Sequence, residues 1–550
     1  MSISSKSIAL CLCLCALCAQ SAAAIGNVHV AEQRGRWLEK AETARPRLFT
    51  RTVAPVRLVE VVADPSAFQR WGVKAGKPIG DVLSRPLSDG DSFIVDFGEH
   101  LVGTICLSLV DFGRAVDAPV RLRFSFAEVP LELAEDSETT RPTMSKAWYQ
   151  REIMTFDEIP STVRLLRRYA FRYVKIEVVG CSMGGRFGIG GVSAAAVTSA
   201  DMSLLKPLEG TSPLAVRIDE IACRTLRDCM QTVFEDGPKR DRRLWLGDLR
   251  LEALANYETY RNFDIVRRSL YLLAGTCGDD DLLNSDAYER PAPRSGSARI
   301  LDYTALFVVT LLEYAEASGD LETARDLWPL CVAQLDAILG TVGSDGVFRD
   351  NGKWWCFIDW QDGLNRQTAE QGVLIYGFKA TLRLAERLGR TDDVAFLHEV
   401  VARMEKAARS VLWDGERGLF VCEKDRQVSY VGQAWLVLAG VLSRDSARRC
   451  LKSVLADDGA VKPVTPYANH YFVEALHCAG LRNEAERHLI AYWGEMARLG
   501  ADTFWEVFVP DDHRAGPYRT PLMNSYCHAW SCAPSYFLRN AKFRFFRDRR

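Results

Sequence analysis

The chain has 550 residues, room for two to four domains at about 100–200 residues each. Hydrophobic residues at 48% and charged residues at 25% describe an ordinary globular protein and exclude a disordered or collagen-like chain. Lys plus Arg (69) nearly cancel Asp plus Glu (71), and a net charge of −2 offers no basic excess for phosphates, so nucleic acid is not an expected partner.

At the start, Lys6 precedes an apolar run from Ile8 to Ala19, followed by the small residues Ser21-Ala22-Ala23-Ala24. A charged start, a short apolar stretch and an Ala-x-Ala site read as a secretory signal peptide over 1–24. The run falls short of the roughly 20 apolar residues a spanning helix needs. The mature chain is therefore expected to be exported, periplasmic or extracellular, with no membrane span. Four of the 16 cysteines lie in this segment; the other twelve form no C-x-x-C pair, which argues against structural zinc.

From about residue 25 to 207 the pattern has period two. Ser92–Gly98, Gly103–Leu109, Val120–Phe126 and Tyr173–Val179 alternate apolar with polar residues between turn signals, as strands of an antiparallel β-sandwich do. From 208 to 550 the period becomes helical. Ile218–Val233, Leu249–Ala274, Tyr303–Ala317, Leu321–Val342, Glu370–Leu388, Asp393–Leu412, Gln433–Leu442, Tyr467–Ala479 and Asn483–Leu499 carry apolar residues at helical spacing, with breaks at Gly319, Gly389 and Gly480. Hairpins of such helices suit an (α/α)6 barrel or a solenoid, and no repeat of fixed period is visible, so the barrel is expected.

Three loops gather acids and aromatics. Phe234–Asp248 packs carboxylates, basic residues and Trp245 around Gly237-Pro238 and Gly247. Thr503–Phe508 sets Glu506 beside Trp505, where lost water raises a carboxyl pKa. Lys353–Asp362 offers Asp359 and Trp360 as lining for a sugar site. Carboxylates facing aromatic walls are the equipment of glycoside hydrolysis. No G-x-S-x-G, H-E-x-x-H or G-x-x-x-x-G-K-[ST] motif supports another chemistry.

Residues Asp236–Asp248 resemble the signature D-C-P-x-R-E-R-x-G-W-x-G-D of the α-L-rhamnosidases of glycoside hydrolase family seventy-eight, with Asp236, Pro238, Arg240, Arg242, Trp245, Gly247 and Asp248 in register. Ala501–Glu506 is similar to that family's A-T-T-x-W-E, whose Glu is the general base, and Ser525–Ser531 resembles its late motif with a His, here His528. Val95–Gly98 with Phe171–Val174 resembles its β-domain. Gly237, Leu244 and Asp241 stand where the family has Cys, Gly and the general-acid Glu. Asp is one methylene shorter, setting the acid back by about 1.5 Å, so Glu235 stays open as proton donor.

The resemblance implies an exported inverting hydrolase of α-L-rhamnosyl or closely related residues. Asp241 would be its acid and Glu506 its base, with Asp236, Asp248, Arg240, Trp245, Trp360, Trp505 and His528 around the sugar and no metal or organic cofactor. Two other readings remain open: a uronic-acid-specific hydrolase or lyase on the same barrel, and an inactive carbohydrate-binding protein.

Overall fold

The computed structural model describes residues 30–113, 117–183, 186–543 and 545–546; the segment read as a signal peptide lies outside them. Nine strands make the N-terminal unit: β1 (Phe49–Val53), β2 (Arg57–Ala63), β3 (Trp71–Ala75), β4 (Ser92–Asp111), β5 (Val120–Ala127), β6 (Arg151–Phe156), β7 (Ser161–Arg164), β8 (Tyr169–Gly180) and β9 (Phe187–Thr198). They pair antiparallel in the order β1-β9-β4-β8-β5-β6, with β2 on the first half of β4, β3 on β2, and β7 on the second half of β4.

The segments Ser92–Gly98 and Gly103–Leu109 are halves of one strand, not two. The register of β4 on β8 shifts between Asp96 and Leu101, and Gly98 takes φ +79° there. The bulge lets β4 bend and serve both layers of the sandwich. Asp96 is fully buried at the bend, where the Gly98 amide (2.8 Å), Arg57 (3.0 Å) and Arg172 (3.0 Å) all donate to its carboxylate. Val95, Phe97, Ile105, Leu107, Leu122, Phe124, Val174, Ile176 and Val178 point inward as the alternation requires.

One helix, α1 (Arg34–Thr43), precedes the strands and was not anticipated by the period-two pattern. It buries Trp37 and Ala41, four residues apart, and packs on the barrel rather than on the sheets. The barrel consists of α2 (Pro213–Cys229), α3 (Leu246–Glu258), α4 (Phe263–Gly275), α5 (Leu301–Ser318), α6 (Leu321–Ala333), α7 (Gln367–Leu388), α8 (Leu397–Ser410), α9 (Tyr430–Leu438), α10 (Arg444–Leu455), α11 (Pro466–Cys478), α12 (Arg482–Arg498) and α13 (Ala533–Arg539). The odd-numbered helices α3 to α13 form an inner ring in which α13 returns to α3, and the even-numbered helices lie outside. The helices thus close into a barrel and do not stack as an open superhelix.

The single segment Leu249–Ala274 is two helices. Arg261 takes φ +53° and the Asn262 side chain accepts the Ile265 amide at 3.2 Å, restarting the chain as an outer helix. Both helices are so buried that their apolar pattern runs on across the break. Helix α10 was missed although it has one short apolar stripe, Ala447, Cys450, Leu451, Val454 and Leu455, on an otherwise polar helix. Gly319 and Gly389 end α5 and α7 in the left-handed region, as the breaks predict. Among the described residues no helix is long and apolar enough to cross a membrane.

A buried charge cluster joins the two units. His100, beside the β4 bulge, contacts Asp228 of α2 through Nδ1 (2.7 Å) and Glu128, just after β5, through Nε2 (3.2 Å). Burial opposes a charged imidazole, but Cys527, Asp228 and Glu128 outweigh it, so the His100 pKa rises well above its ordinary value. His100→Ala should therefore destabilise the protein by about 1–3 kcal/mol, since two buried carboxylates lose one partner while Arg227 stays on Asp228 and Lys239 on Glu128. A raised histidine pKa stabilises fully below about pH 6.5, the unfolded value, and the gain is lost as pH rises through the folded pKa. Urea unfolding across pH 6–10 should show the His100→Ala deficit shrinking toward the alkaline end.

Candidate active site

The inner helices begin at one mouth of the barrel, and the loops that lead into them carry the acids and aromatics. The segment 234–245 leads into α3, Trp355–Trp360 precedes α7, and 502–532 runs into α13. Together they line one cavity, walled by Asp236, Arg240, Asp241, Trp245, Asp248, Ile300, Tyr303, Trp355, Phe357, Trp360, Glu506, Tyr518, His528 and Trp530.

Arg240 organises the cavity. Its guanidinium, 1% exposed, donates to Asp241 Oδ2 (3.1 Å), to Glu506 Oε2, to the Tyr518 hydroxyl (2.7 Å) and to the Met523 carbonyl (2.9 Å). One guanidinium between two carboxyls holds their facing oxygens at most about 8 Å apart. The Tyr518 hydroxyl donates to Glu506 Oε1 at 2.5 Å, and the Ser525 amide to Oε2 at 3.1 Å. Burial pushes the Glu506 carboxyl up, but Arg240, His528 and Tyr518 outweigh burial and bring it down to about 2. Glu506 is therefore anionic at any working pH.

Asp241 and Arg242 both take φ +54°, a left-handed pair that costs about 1–3 kcal/mol for each residue. The turn is held from both sides. The Asp236 amide donates to the Arg243 carbonyl (3.0 Å), the Arg243 amide to Asp236 Oδ1 (3.2 Å), and Arg242 to the Pro238 and Arg168 carbonyls (2.8 Å each). Arg242 thus serves the turn and not the cavity. Asp241 Oδ1 is buried with no hydrogen-bond partner.

Beneath this pair lies a second set of carboxyls. Asp248 sits in the first turn of α3, accepts the Tyr303 hydroxyl at 3.3 Å and lies 3.6 Å from His528 Nε2. Gly247 makes this possible, because a Cβ there would stand 2.2 Å from the Tyr303 ring. At Gly237 a Cβ would meet Ser525 Oγ at 2.7 Å, so the serine occupies the space a side chain would need there. Burial first, then the charges of Asp241 and Asp248, push the Asp236 carboxyl well up, and burial beside Asp248 does the same to Glu252.

Asp236, Arg240, Asp241, Trp245, Asp248, Trp360, Glu506 and His528 thus share one cavity, although almost 300 residues separate Asp236 from His528. Three readings need correction. Asp359 is fully buried and lines nothing: the Trp360 amide (2.9 Å), Val464 amide (2.9 Å), Thr465 amide (3.1 Å) and Thr465 hydroxyl (2.7 Å) all donate to it. Trp505 is 2% exposed and stacks on Phe68 of the β-unit at 3.6 Å, while its neighbour Glu506 faces the cavity. Glu235, the other proton donor considered, is held bidentate by Arg168 at 2.5 and 2.7 Å, outside the cavity. Tyr303 and Tyr518 were missed, because aromatic residues are common in cores and nothing near them in sequence marks them as lining; Phe357 lies in the loop 353–362 that the sequence singled out, beside the named Trp360.

Residues 55–196 match the glycosyl hydrolase family 78 alpha-rhamnosidase N-terminal domain, and 208–541 the bacterial alpha-L-rhamnosidase six-hairpin glycosidase domain. The chain is similar to a rhamnosidase from Klebsiella oxytoca with rhamnose bound: 40% identity over 92% of this chain and 98% of that one, TM-score 0.89. It shares its fold with a family 78 rhamnosidase of Bacillus sp. GL1, at 23% identity over 85% of this chain and 49% of that one, TM-score 0.71. No curated protein matches the sequence.

The position of Asp359 generates a prediction. Losing a carboxylate that satisfies three amides and a hydroxyl should destabilise the fold by several kcal/mol, at about 1–3 kcal/mol for each buried donor left unpaired. Asp359→Ala should lower the melting temperature strongly, whereas a sugar-contacting residue would change ligand affinity and leave melting of the free protein nearly unaltered.

Proposed function

The chain belongs to the α-rhamnosidases of glycosyl hydrolase family 78 and is a glycoside hydrolase, and from that premise we propose that it is an exported enzyme releasing terminal α-L-rhamnosyl residues with inversion. The observation that carries the reading is the single guanidinium of Arg240 between Asp241 and Glu506 at one cavity. An upper bound of about 8 Å places the two carboxyls within reach of one glycosidic bond and spans both the roughly 6.5–9.5 Å of inverting pairs and the about 5–5.5 Å of retaining ones, so the anomer first released decides inversion.

Glu506, anionic and fixed by Arg240, Tyr518 and the Ser525 amide, accepts a proton from that water. Asp241 gives a proton to the leaving oxygen; Arg240 engages its Oδ2, which leaves Oδ1 for the transfer. Asp248, with Tyr303 and His528 beside it, offers acceptors for ring hydroxyls. Ile300, Phe357, Trp360 and Trp530 supply apolar wall for the methyl group of a 6-deoxy sugar. Arg240 is the cation among the lining residues, and two carboxylates already engage it, which disfavours a uronic acid in this pocket. Export rests on the charged, apolar and small-residue pattern of residues 1–24; the N-terminal sequence of the secreted protein should begin near Ile25.

Two measurements check the mechanism. Proton NMR during hydrolysis of p-nitrophenyl α-L-rhamnoside should register the β anomer of rhamnose first; the α anomer first would mean retention. Glu506→Gln should lower kcat by about 10²–10⁴-fold with little change in sugar affinity, and Asp241→Asn should cost most on poor leaving groups, which depend on protonation.

A further inference from the structure

Two sulfurs meet behind the cavity. Cys229 is the last residue of α2, and Cys527 lies in the late motif between Tyr526 and His528. Both are fully buried, and their Sγ atoms stand 3.8 Å apart, in van der Waals contact, although 298 residues separate them in sequence. Neither is among the residues that line the cavity. A disulfide closes such a contact to about 2.05 Å, which small rotations of two short side chains can accomplish.

The surroundings make the two thiols unequal. One donor atom each of His100, Asp228 and Cys527 lies within 4.8 Å of the others. Asp228 is already engaged at both oxygens, by His100 at 2.7 Å and Arg227 at 2.6 Å, so the imidazolium is left to face the sulfur. Burial opposes a thiolate at Cys527, but the Cys229 thiol and the His100 imidazolium outweigh it and bring that thiol below its ordinary value. Burial pushes the Cys229 thiol the other way. One sulfur is the readier nucleophile and its neighbour keeps its proton, the arrangement of an attacking and a resolving cysteine.

We propose that Cys229 and Cys527 are joined by a disulfide as the chain folds, and that this bond fastens the two catalytic loops to each other. The inference rests on the proposed export, since disulfide oxidants are at hand outside the cytoplasm. The Cys527 thiolate attacks a low-molecular-weight disulfide of the oxidised glutathione class and expels one thiolate, which takes the proton held on His100. The Cys229 sulfur then gives up its proton and attacks the mixed disulfide at Cys527, and the second thiolate leaves with that proton. Two protein thiols are oxidised and one disulfide is reduced to two thiols. The bond acts where the loops already touch: the Cys229 carbonyl accepts the Glu235 amide (2.9 Å), and the Ala529 amide donates to the Asp236 carbonyl (2.8 Å). Two residues before Cys527, the Ser525 amide holds Glu506. The loop of the acid is thereby tied to the loop of the base, and closing so long a stretch of chain is what restricts the unfolded state most.

The test uses the full chain produced in a bacterium with an oxidising cytosol, so that an oxidant is present whether or not the leader directs export. The protein is denatured, alkylated without reduction, digested and mapped by mass spectrometry. The expected result is a pair of peptides linked through Cys229 and Cys527 and separated by reduction. In thermal melts a reductant should lower the wild-type melting temperature by about 3–5 °C and leave that of Cys229→Ala unmoved. Alkylated Cys229 and Cys527, a link from either to another cysteine, or an equal shift of both proteins by the reductant overturns the inference. Recovery of the protein with residues 1–24 still attached overturns instead the export reading beneath it, so the two failures are distinguishable.

Discussion

The buried guanidinium of Arg240 is the contact on which the rest of the site depends. A fully desolvated cation is tolerated only where its donors are met, and removing one partner of a buried pair costs about 3–5 kcal/mol. Arg240 meets Asp241 on its own loop and Glu506, Tyr518 and Met523 on another, and so ties together two chain segments more than 260 residues apart. Residues of the same loop that face the other way bind the β-unit. Lys239 reaches Glu132 at 2.8 Å, and Glu235 is clasped by Arg168. The N-terminal sandwich is thus a clamp on the catalytic loop, and this gives a physical reason for the two units to form one body.

The parts of this architecture that were legible in sequence share one property: their pattern is local. The alternation of Val120–Phe126 and the helical spacing of Tyr303–Ala317 can be read within one element, and each matches the structure closely. The segment 236–248 was legible because its Asp, Pro, Arg, Trp and Gly stand in the register of a known family signature. Asp359 and Trp505 were misread because composition does not reveal direction. Each sits beside a true cavity residue, Trp360 and Glu506, and points elsewhere, Asp359 to the Val464-Thr465 amides and Trp505 to Phe68. Tyr518 was invisible for a similar reason, since its role exists only through Arg240, on a loop that folding brings to it.

Small residues set the depth of the cavity as firmly as the charged ones set its chemistry. At Gly247 the Tyr303 ring occupies the volume of any side chain, and that contact carries the tyrosine hydroxyl to Asp248. At Gly237 Ser525 does the same, and the Ser525 amide binds Glu506. Both glycines therefore act through a partner that approaches the backbone, and neither needs a left-handed conformation, unlike Gly319 or Gly389.

The carboxyls of this mouth are divided by their surroundings into two sets. Glu506 touches a cation and two donors and holds its charge down to about pH 2. Asp236 and Glu252, deeper and close to the charge of Asp248, are pushed the other way by burial and stay protonated where Glu506 is ionised. The barrel assists through geometry: Asp248, Asp302 and Glu370 each occupy the first turn of an inner helix, where the positive end of the helix dipole favours a negative group. Asp302 uses that position to accept the amides of Phe357 (2.9 Å) and Ile358 (3.2 Å), fixing the loop that brings Trp355, Phe357 and Trp360 to the cavity wall. An inner-helix N-terminus thus acts twice at Asp302, favouring a buried acid and letting that acid anchor the aromatic loop across the mouth.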